Sequence, residues 1–531
     1  MQHKIQFATA AAVALTALHT APAHATDWLQ FGYDQAHSGY NVEEHGYPVA
    51  SAHAAQWQVS VHAFGSGTAI TSDSTPVYLS DVNTASGTKD LLFLVTQNGT
   101  LIAFDASDGS VVWSRRPTPA SGSNLTTGSP AIDPGLQYVY AYGLDGNVHK
   151  YQVGDGAETV TGGWPQISTL KPDVEKGASA LSFATPPGGI NYLYVPTNGY
   201  VGDGGDYQGH VTTIDLTNGA QNIFNTQCSN LFMHFVKNGT PRTNDCNLGT
   251  STNPGGPMGR DGQMSGIWGR PGVVYDSLTN HIYLATGNGL FDANMAGGYE
   301  WGDSVLALNA DGTGSGLGMP VDSFTPSSFS NLYKVDADLG STSPAILPST
   351  SNTYPHLAVQ SGKDACVRLI NLDDMSGSGG PGHVGNEINA ATSCSTDAAG
   401  GQVRTQPAVW INPADGSTWF FLATDGNLYG YHLVFDGSGK PSLARDWTFT
   451  NAAGTSPVVA NGVVYYTSNK GSSNNTLRGV NALTGAQIWS ATIGAIKWQS
   501  PIVVNGHLYI TDNASQLWSF ALEGIFKGGF E

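Results

Sequence analysis

Charge is scarce in this chain: Asp, Glu, Lys and Arg together make up 11% of 531 residues. What charge there is leans acidic, giving a net −19 spread without an acidic run. No basic stripe is present, which argues against nucleic acid as a partner and against anionic membrane surfaces. No apolar stretch is long enough to span a bilayer. Cysteine is limited to Cys228, Cys246, Cys366 and Cys394. None forms C-x-x-C or C-x-x-C-H, which removes a zinc ribbon, a thioredoxin-like site and a c-type haem attachment. There is no P-loop, no H-E-x-x-H, no G-x-S-x-G at a strand-to-helix turn and no G-x-G-x-x-G opening a helix. The histidines are scattered, and Asp373/Asp374 read as solvated neighbours rather than a glycosidase pair. After residue 25 no amphipathic stretch of period 3.6 stands out.

What the chain has in quantity is glycine, 68 residues, with aromatics at 10%. That is the composition of a turn-dense, all-β protein. A unit recurs about eight times: a small residue and Pro, a short apolar strand, an Asn/Asp/Gly turn, a second strand, then often a Thr-Gly or Asp-Gly turn. The clearest copy is LLFLVTQNGTLIAFDASDGSVVW, from Leu91 to Trp113. A late copy ends RGVNALTGAQIW at Trp489. Opening prolines are Pro76, Pro130, Pro271, Pro344, Pro407, Pro457 and Pro501, and an eighth unit, ALSFATPPGGINYLYVP, lacks the clean opening. The later intervals, roughly 45 to 75 residues, suit a four-stranded propeller blade plus loops. Strands such as NYLYVP, HIYLAT and HLYITD are aromatic and β-branched between turn residues. Pro at a strand's first residue is tolerated because its missing N–H lies outside the ladder. The expected fold is an eight-bladed, all-β propeller of four-stranded antiparallel blades, with seven blades as the alternative. Residues 27–41 are expected to supply a leading strand that completes the last blade.

Residues 1–25 read as a cleaved export signal: Lys4, an apolar run, and Ala23-His24-Ala25 as the cleavage site. No cysteine follows it, so no lipid anchor is signalled, and the expected location is periplasmic or secreted. In that compartment four cysteines suggest two disulfides. Sequence allows three pairings; Cys228–Cys246 and Cys366–Cys394 are favoured because each would staple a long loop. Residues 26–531 read as one domain with long insertions at about 225–266, 290–303, 309–340 and 374–400. Loops of this length are uncommon unless functional or disordered, and they are expected to cap one face of the disc.

The blade signature AFDASDGSVVW resembles the A-x-D-x-x-T-G-x-x-x-W repeat of quinoprotein alcohol dehydrogenases, the pyrroloquinoline quinone (PQQ) propellers. IWGRPGVVYDSLTNHIYLATGN (267–288) and GDSVLALN (302–309) are similar to further stretches of that family. The resemblance covers most of the chain beyond the leader. It implies a planar quinone at the hub, a Trp as its floor, Ca²⁺ held by Glu, Asn and Asp oxygens, an Asp that takes the alcohol proton, and a basic side chain on the cofactor's oxygens. By resemblance Trp268 matches the floor, Asn288 the amide metal ligand and Lys363 the basic residue. Asp336 is the better match to the catalytic aspartate, with Asp338 two residues on as the alternative and Asp336 also a metal-ligand candidate. The family's metal-binding Glu has no counterpart in GDGGDYQGHV (202–211), where Gly204 is nearest; Asp203 or Asp206 could stand in as hard oxygen ligands. A vicinal Cys-Cys pair, present in many members, is missing. Taken singly, Trp268 also suits a blade core, Asn288 and the aspartates suit turns and caps, and Lys363 suits a solvated surface.

Two readings follow. The first is an exported quinoprotein-like dehydrogenase that oxidises a small-molecule alcohol and passes electrons to an external acceptor. The second is a non-catalytic propeller of the cell envelope that binds a protein or glycan partner, because the same fold serves both. The sequence-level discriminator is whether a carboxylate near residue 204 converges with Asn288 and Asp336.

Overall fold

The computed structural model describes residues 27–44, 53–118, 124–201, 203–236, 264–388, 401–450, 452–468 and 475–522. The expected leader, Cys246, Cys394 and much of the loops at 225–266 and 374–400 lie outside the described residues.

Eight antiparallel sheets follow one another along the chain. Blade 1 is Val77–Thr84, Gly87–Val95, Leu101–Asp105 and Val111–Arg115; blade 2 is Ala131–Ile132, Tyr138–Tyr142, Asn147–Gln152 and Gln166–Ile167. Blade 3 is built on Ser182–Ala184, Tyr192–Gly199, His210–Asp215 and Gln221–Asn225, with the short Glu175–Lys176 added to its second strand. Blade 4 is Val274–Asp276, His281–Ala285, Val305–Asn309 and Asp322–Phe324. Blade 5 shows three strands among the described residues, Ala345–Pro348, His356–Gln360 and Arg368–Asn371. Blade 6 is Ala408–Ile411, Thr418–Ala423, Leu428–Phe435 and Pro441–Phe449, and blade 7 is Val458–Ala460, Val463–Ser468, Asn475–Asn481 and Gln487–Ile493. Blade 8 takes Ile502–Val504, His507–Thr511 and Gln516–Leu522 from the end of the chain and His53–Ser60 from its beginning. The expectation of eight blades is met, and seven is excluded.

Six of the seven opening prolines sit immediately before a first strand, and Pro271 lies just ahead of Val274. The first strands of blades 5 to 8 contact one another in turn, which places them at the hub. The core lies between blades. Blades 1 and 2 share one apolar cluster, as do 2 and 3, 3 and 4, 4 and 5, 5 and 6, and 6 and 7; a larger one joins blades 7, 8 and 1. The ring is therefore closed by burial as well as by pairing, and closure removes the open edges that would invite aggregation.

The repeat signature has a direct physical meaning. An outer-strand tryptophan donates its indole N–H to the next blade: Trp113 to the carbonyl of Val153 at 2.9 Å, Trp447 to Ala482 at 2.9 Å, Trp57 to Ala106 at 3.2 Å and Trp489 to His53 at 3.1 Å. Three of these rings lie on the glycine of the neighbouring blade's terminal turn. A Cβ added at Gly156 would sit 2.6 Å from Trp113, at Gly485 2.6 Å from Trp447, and at Gly109 2.9 Å from Trp57. All three glycines have positive φ, which an L side chain rarely adopts.

Two sequence expectations are corrected, on the closing strand and on the stretch 309–340, and one element is added. The strand that completes the last blade is His53–Ser60, not residues 27–41. That earlier stretch bridges Trp28 to Tyr78 in blade 1 and runs Tyr40–Asn41 parallel to the first strand of blade 7. A short helix, Phe329–Val335, does occur, and only Leu332 and Tyr333 of it are buried. With two buried positions it leaves no extended apolar stripe to read. The stretch 309–340, read as a loop, also contains the fourth strand of blade 4 and the start of the 3₁₀ turn Leu339–Ser341.

Candidate functional site

A cavity of about 520 Å³ is lined by connections on one face of the ring. Two kinds of segment supply most of its lining, joined by Lys176 from the short strand Glu175–Lys176 and Asp336 from the end of the helix. Residues just ahead of an opening proline contribute Thr127, Trp268, Arg270, Asp338, Arg404, Lys497 and Trp498. Residues beyond the second strand of blades 3, 4 and 5 contribute Tyr200, Asp203, Tyr207, Asn288 and Lys363. In blades 1 and 2 the same connection is a tight turn, QNGT or LDGN.

Trp268, Asn288, Asp336, Asp338, Lys363 and Asp203 all line this one cavity. Trp268 faces into it, edge to face with Trp498 at 6.5 Å between ring centroids, and the ammonium of Lys363 lies 5.3 Å from its ring. Lys363 bridges both aspartates, at 2.9 Å to Asp336 Oδ1 and in a short contact to Asp338 Oδ2. Asp338 Oδ1 accepts the backbone N–H of Asn288 at 2.5 Å, and Asp336 Oδ1 accepts Asn288 Nδ2 at 3.2 Å. Gly287 permits this packing, since a Cβ there would lie 3.0 Å from Asp338 Oδ1 and 3.1 Å from Trp268 Nε1. The two aspartates differ in access: the Asp336 side chain is 53% exposed and that of Asp338 5%. Asp336 ends the helix in a left-handed conformation, φ 55°. Asp203, Met264 and Asp303 around the same site are also non-glycine residues with positive φ. Such strained positions gather where the surroundings fix a geometry.

Burial pushes the carboxyl of Asp338 up, partly offset by Lys363. Burial pulls the other way on Lys363, but the carboxylates of Asp338 and Asp336 hold its ammonium above the ordinary lysine range. Behind them Asp303 is fully buried. It accepts the N–H of Leu339 at 3.0 Å, and burial together with the charge of Asp338 raises it well above a normal carboxyl. Asp203 is raised by burial, against a 2.7 Å hydrogen bond from the Tyr207 hydroxyl, and also feels the charges of Asp336 and Lys363. Asp206 does not line the cavity: Lys171 bonds its backbone carbonyl at 2.5 Å and Gln208 its carboxylate at 3.3 Å. Of the two stand-ins for the family's Glu, the structure therefore brings Asp203 to the site and leaves Asp206 outside it. Gly204 meets open space.

Sequence reasoning missed the cationic side of the cavity. Lys176, Arg270, Arg404 and Lys497 join Lys363, so five cations face three carboxylates in a protein of net charge −19. Arg404 pairs with Asp425 at 3.2 Å. Arg270 is buried, donates to the carbonyls of Thr127 and Asp73 at 3.1 Å each, and is drawn down to about 10 by burial. The available signal was position: each of Arg270, Arg404 and Lys497 stands just ahead of an opening proline.

No curated protein matches the sequence. The family model described as outer membrane protein assembly factor BamB matches residues 54–223, about a third of the chain. Among solved structures, a europium-containing methanol dehydrogenase aligns with TM-score 0.60 at 14% identity, over 94% of this chain and 98% of that one. Quinohemoprotein alcohol dehydrogenase ADHIIG of Pseudomonas putida HK5 aligns with TM-score 0.58 at 14% identity, over 94% and 81%. The corresponding enzyme of Comamonas testosteroni gives 0.57 at 13%, over 95% and 82%. The fold is that of a PQQ-type β-propeller. At these identities the likeness is one of architecture. No group of three or more His, Cys, Asp or Glu residues placed to hold a metal ion occurs among the described residues. A metal in this cavity would therefore need the Asn288 amide oxygen beside the carboxylates. No free cysteine occurs among the described residues. Because Cys246 and Cys394 lie outside them, the favoured pairings stay expectations.

Proposed function

We propose that this propeller is an exported quinoprotein-like oxidoreductase that holds PQQ in the cavity and oxidises an alcohol, with electrons leaving to an external acceptor. One observation carries the reading: Trp268, Asn288, Asp336, Asp338 and Lys363, far apart in sequence, line a single cavity together with a carboxylate from the 203–206 stretch. The residues fit the group. PQQ is flat and anionic, and the cavity offers two indoles and a surplus of cations. Trp268 is the stacking surface and Lys363 the donor to a quinone oxygen. Asp203, Asn288 and Asp336 would hold a Ca²⁺ ion, being oxygen donors of the kind that ion takes, on the side of the cavity where Asp203 feels the charges of Asp336 and Lys363. Bound there, the quinone supplies a two-electron hydride acceptor and the metal a Lewis acid.

The chain's own work is positional and protonic. Asp338, with both oxygens engaged, fixes Lys363 and the Asn288 backbone. Asp336 uses only Oδ1 for these contacts and is the half-exposed carboxylate, so its Oδ2 is the oxygen left to take an alcohol proton. The match to a family described as an outer membrane assembly factor supports a second reading, a non-catalytic envelope scaffold for a protein or glycan. Titrating the purified protein with PQQ and Ca²⁺ separates the two. Tryptophan quenching together with alcohol-dependent dye reduction is expected for the enzyme. A folded protein that shows neither at high micromolar quinone would leave the scaffold.

A further inference from the structure

Lys176 is one of the cavity's cations, with no individual role in the reading above. It belongs to the two-residue strand Glu175–Lys176, whose partners are Gly199 and Asn198. Neighbouring strand residues point to opposite sides. The Glu175 carboxylate turns to Lys171 at 3.5 Å and to the backbone N–H of Gln208 at 2.8 Å, while Lys176 lines the cavity. The residue is 4% exposed, yet its ammonium has neither a hydrogen bond nor an ion pair among the described residues. It lies 5.0 Å from the ring of Tyr200. The charged groups acting on it are Lys497, Arg270 and Asp73. Asp73 is already committed: its carboxylate accepts Gln97 at 2.6 Å and Gln499 at 3.2 Å.

A buried lysine without a counter-ion, next to further cations, is the arrangement that makes an amine nucleophilic near neutral pH. We propose that Lys176 is a carbonyl-reactive amine, a covalent site for small planar aldehydes and ketones that enter the cavity. The free amine's lone pair forms a bond to the carbonyl carbon and the oxygen takes a proton. The carbinolamine then loses water to give the imine, with no net oxidation or reduction. Burial first, then the charge of Lys497, bring the Lys176 ammonium down to about 8, against the opposing pull of Asp73. The reaction needs no quinone, so its failure would leave the proposed dehydrogenase reading standing.

The test uses the full chain without added quinone or metal. It is incubated with a neutral aromatic aldehyde such as 2-naphthaldehyde, trapped with cyanoborohydride, and its lysines are ranked by peptide mass spectrometry. Lys440, exposed in the turn between the third and fourth strands of blade 6, is the internal reference. At pH 7.5 Lys176 is expected to label at least about tenfold faster than Lys440, since an amine with a midpoint near 8 is far more deprotonated there than an ordinary lysine. The labelling rate should rise with pH through a midpoint near 8, and Lys497→Met, which removes one neighbouring cation, should move that midpoint upward. Equal labelling of Lys176 and Lys440 on folded protein, or a midpoint near the ordinary lysine value, would overturn the proposal. So would an unmoved midpoint in the Lys497→Met variant, because a buried lysine not governed by its cationic neighbours would behave that way.

Discussion

Blades 6, 7, 8, 1 and 2 and blades 3, 4 and 5 are built from one repeat but are held together differently. Across the first arc, Trp447, Trp489, Trp57 and Trp113 each dock onto the next blade with an indole hydrogen bond, three of them over a turn glycine. Across the second arc the joints improvise. Gln166 takes the tryptophan's place over Gly219, where an added Cβ would meet its amide at 2.9 Å, and bonds Gln221 at 2.6 Å. The Tyr194 hydroxyl reaches the Ala310 carbonyl at 2.7 Å. The turns differ in step: where blades 1 and 2 close with the short connections 96–100 and 143–146, the connections 200–209 and 286–304 of blades 3 and 4 run long and carry Asp203 and Asn288. Uniform joints give a rigid frame, and the arc that abandons them is free to shape a site.

Substitutions should therefore separate into those that loosen the ring and those that empty the cavity. The largest effect is expected from Trp447→Ala, which removes a buried ring and its bond to Ala482. A loss of about 3–5 kcal/mol in denaturant unfolding is expected, with quinone affinity unchanged in the fraction that stays folded. Loss of affinity without loss of stability would break the division. Lys363→Met is the converse: quinone quenching should weaken at least about tenfold, about 1.4 kcal/mol, with a stability loss of about 1–3 kcal/mol from leaving the buried Asp338 without its cation. Calorimetry and fluorescence on one preparation would show both.

A subtler effect is expected from Asp303→Asn. The Asp303 carboxyl is raised in the folded state, so the folded protein binds its proton more tightly than the unfolded chain does. Stability therefore falls as pH rises above the unfolded value near 3.8. The asparagine keeps the acceptor for Leu339 and should remove that fall, by up to about 1.4 kcal/mol per pH unit across the window. Unfolding curves at a series of pH values give the slope, and parallel curves for variant and parent would contradict the assignment. The smallest effect on binding is expected from Asp206→Asn, outside the cavity: affinity for quinone and Ca²⁺ unchanged, the isosteric amide keeping an acceptor for Gln208. A measurable loss of Ca²⁺ binding would return Asp206 to the site.

Much of the architecture was legible because the repeat is local. Proline openings, turn glycines and docking tryptophans lie within a few dozen residues of one another and recur. The exchange of residues 27–41 for His53–Ser60 as the closing strand was not legible, since pairing with Gln516–Leu522 is decided between opposite ends of the chain. At the site, Trp268, Asn288, Lys363 and the two aspartates were found through resemblance. The choice of Asp203 over Asp206 needed the fold, because it turns on Lys171 holding the Asp206 backbone carbonyl and Gln208 its carboxylate away from the cavity. Lys176 and Arg270 were hidden for a similar reason: single cations in a sequence say nothing until the ring sets them side by side.

The borrowed outer strand of blade 8 has a consequence for how this molecule comes into being. On a growing chain, His53–Ser60 is made long before its partner Gln516–Leu522. Between the two, the nascent chain carries an unmated β-edge at each end of an incomplete spiral. Truncation anywhere ahead of the final sheet should thus yield sticky, insoluble fragments rather than a smaller working disc, and a chaperone that shields the early strand would find its client here.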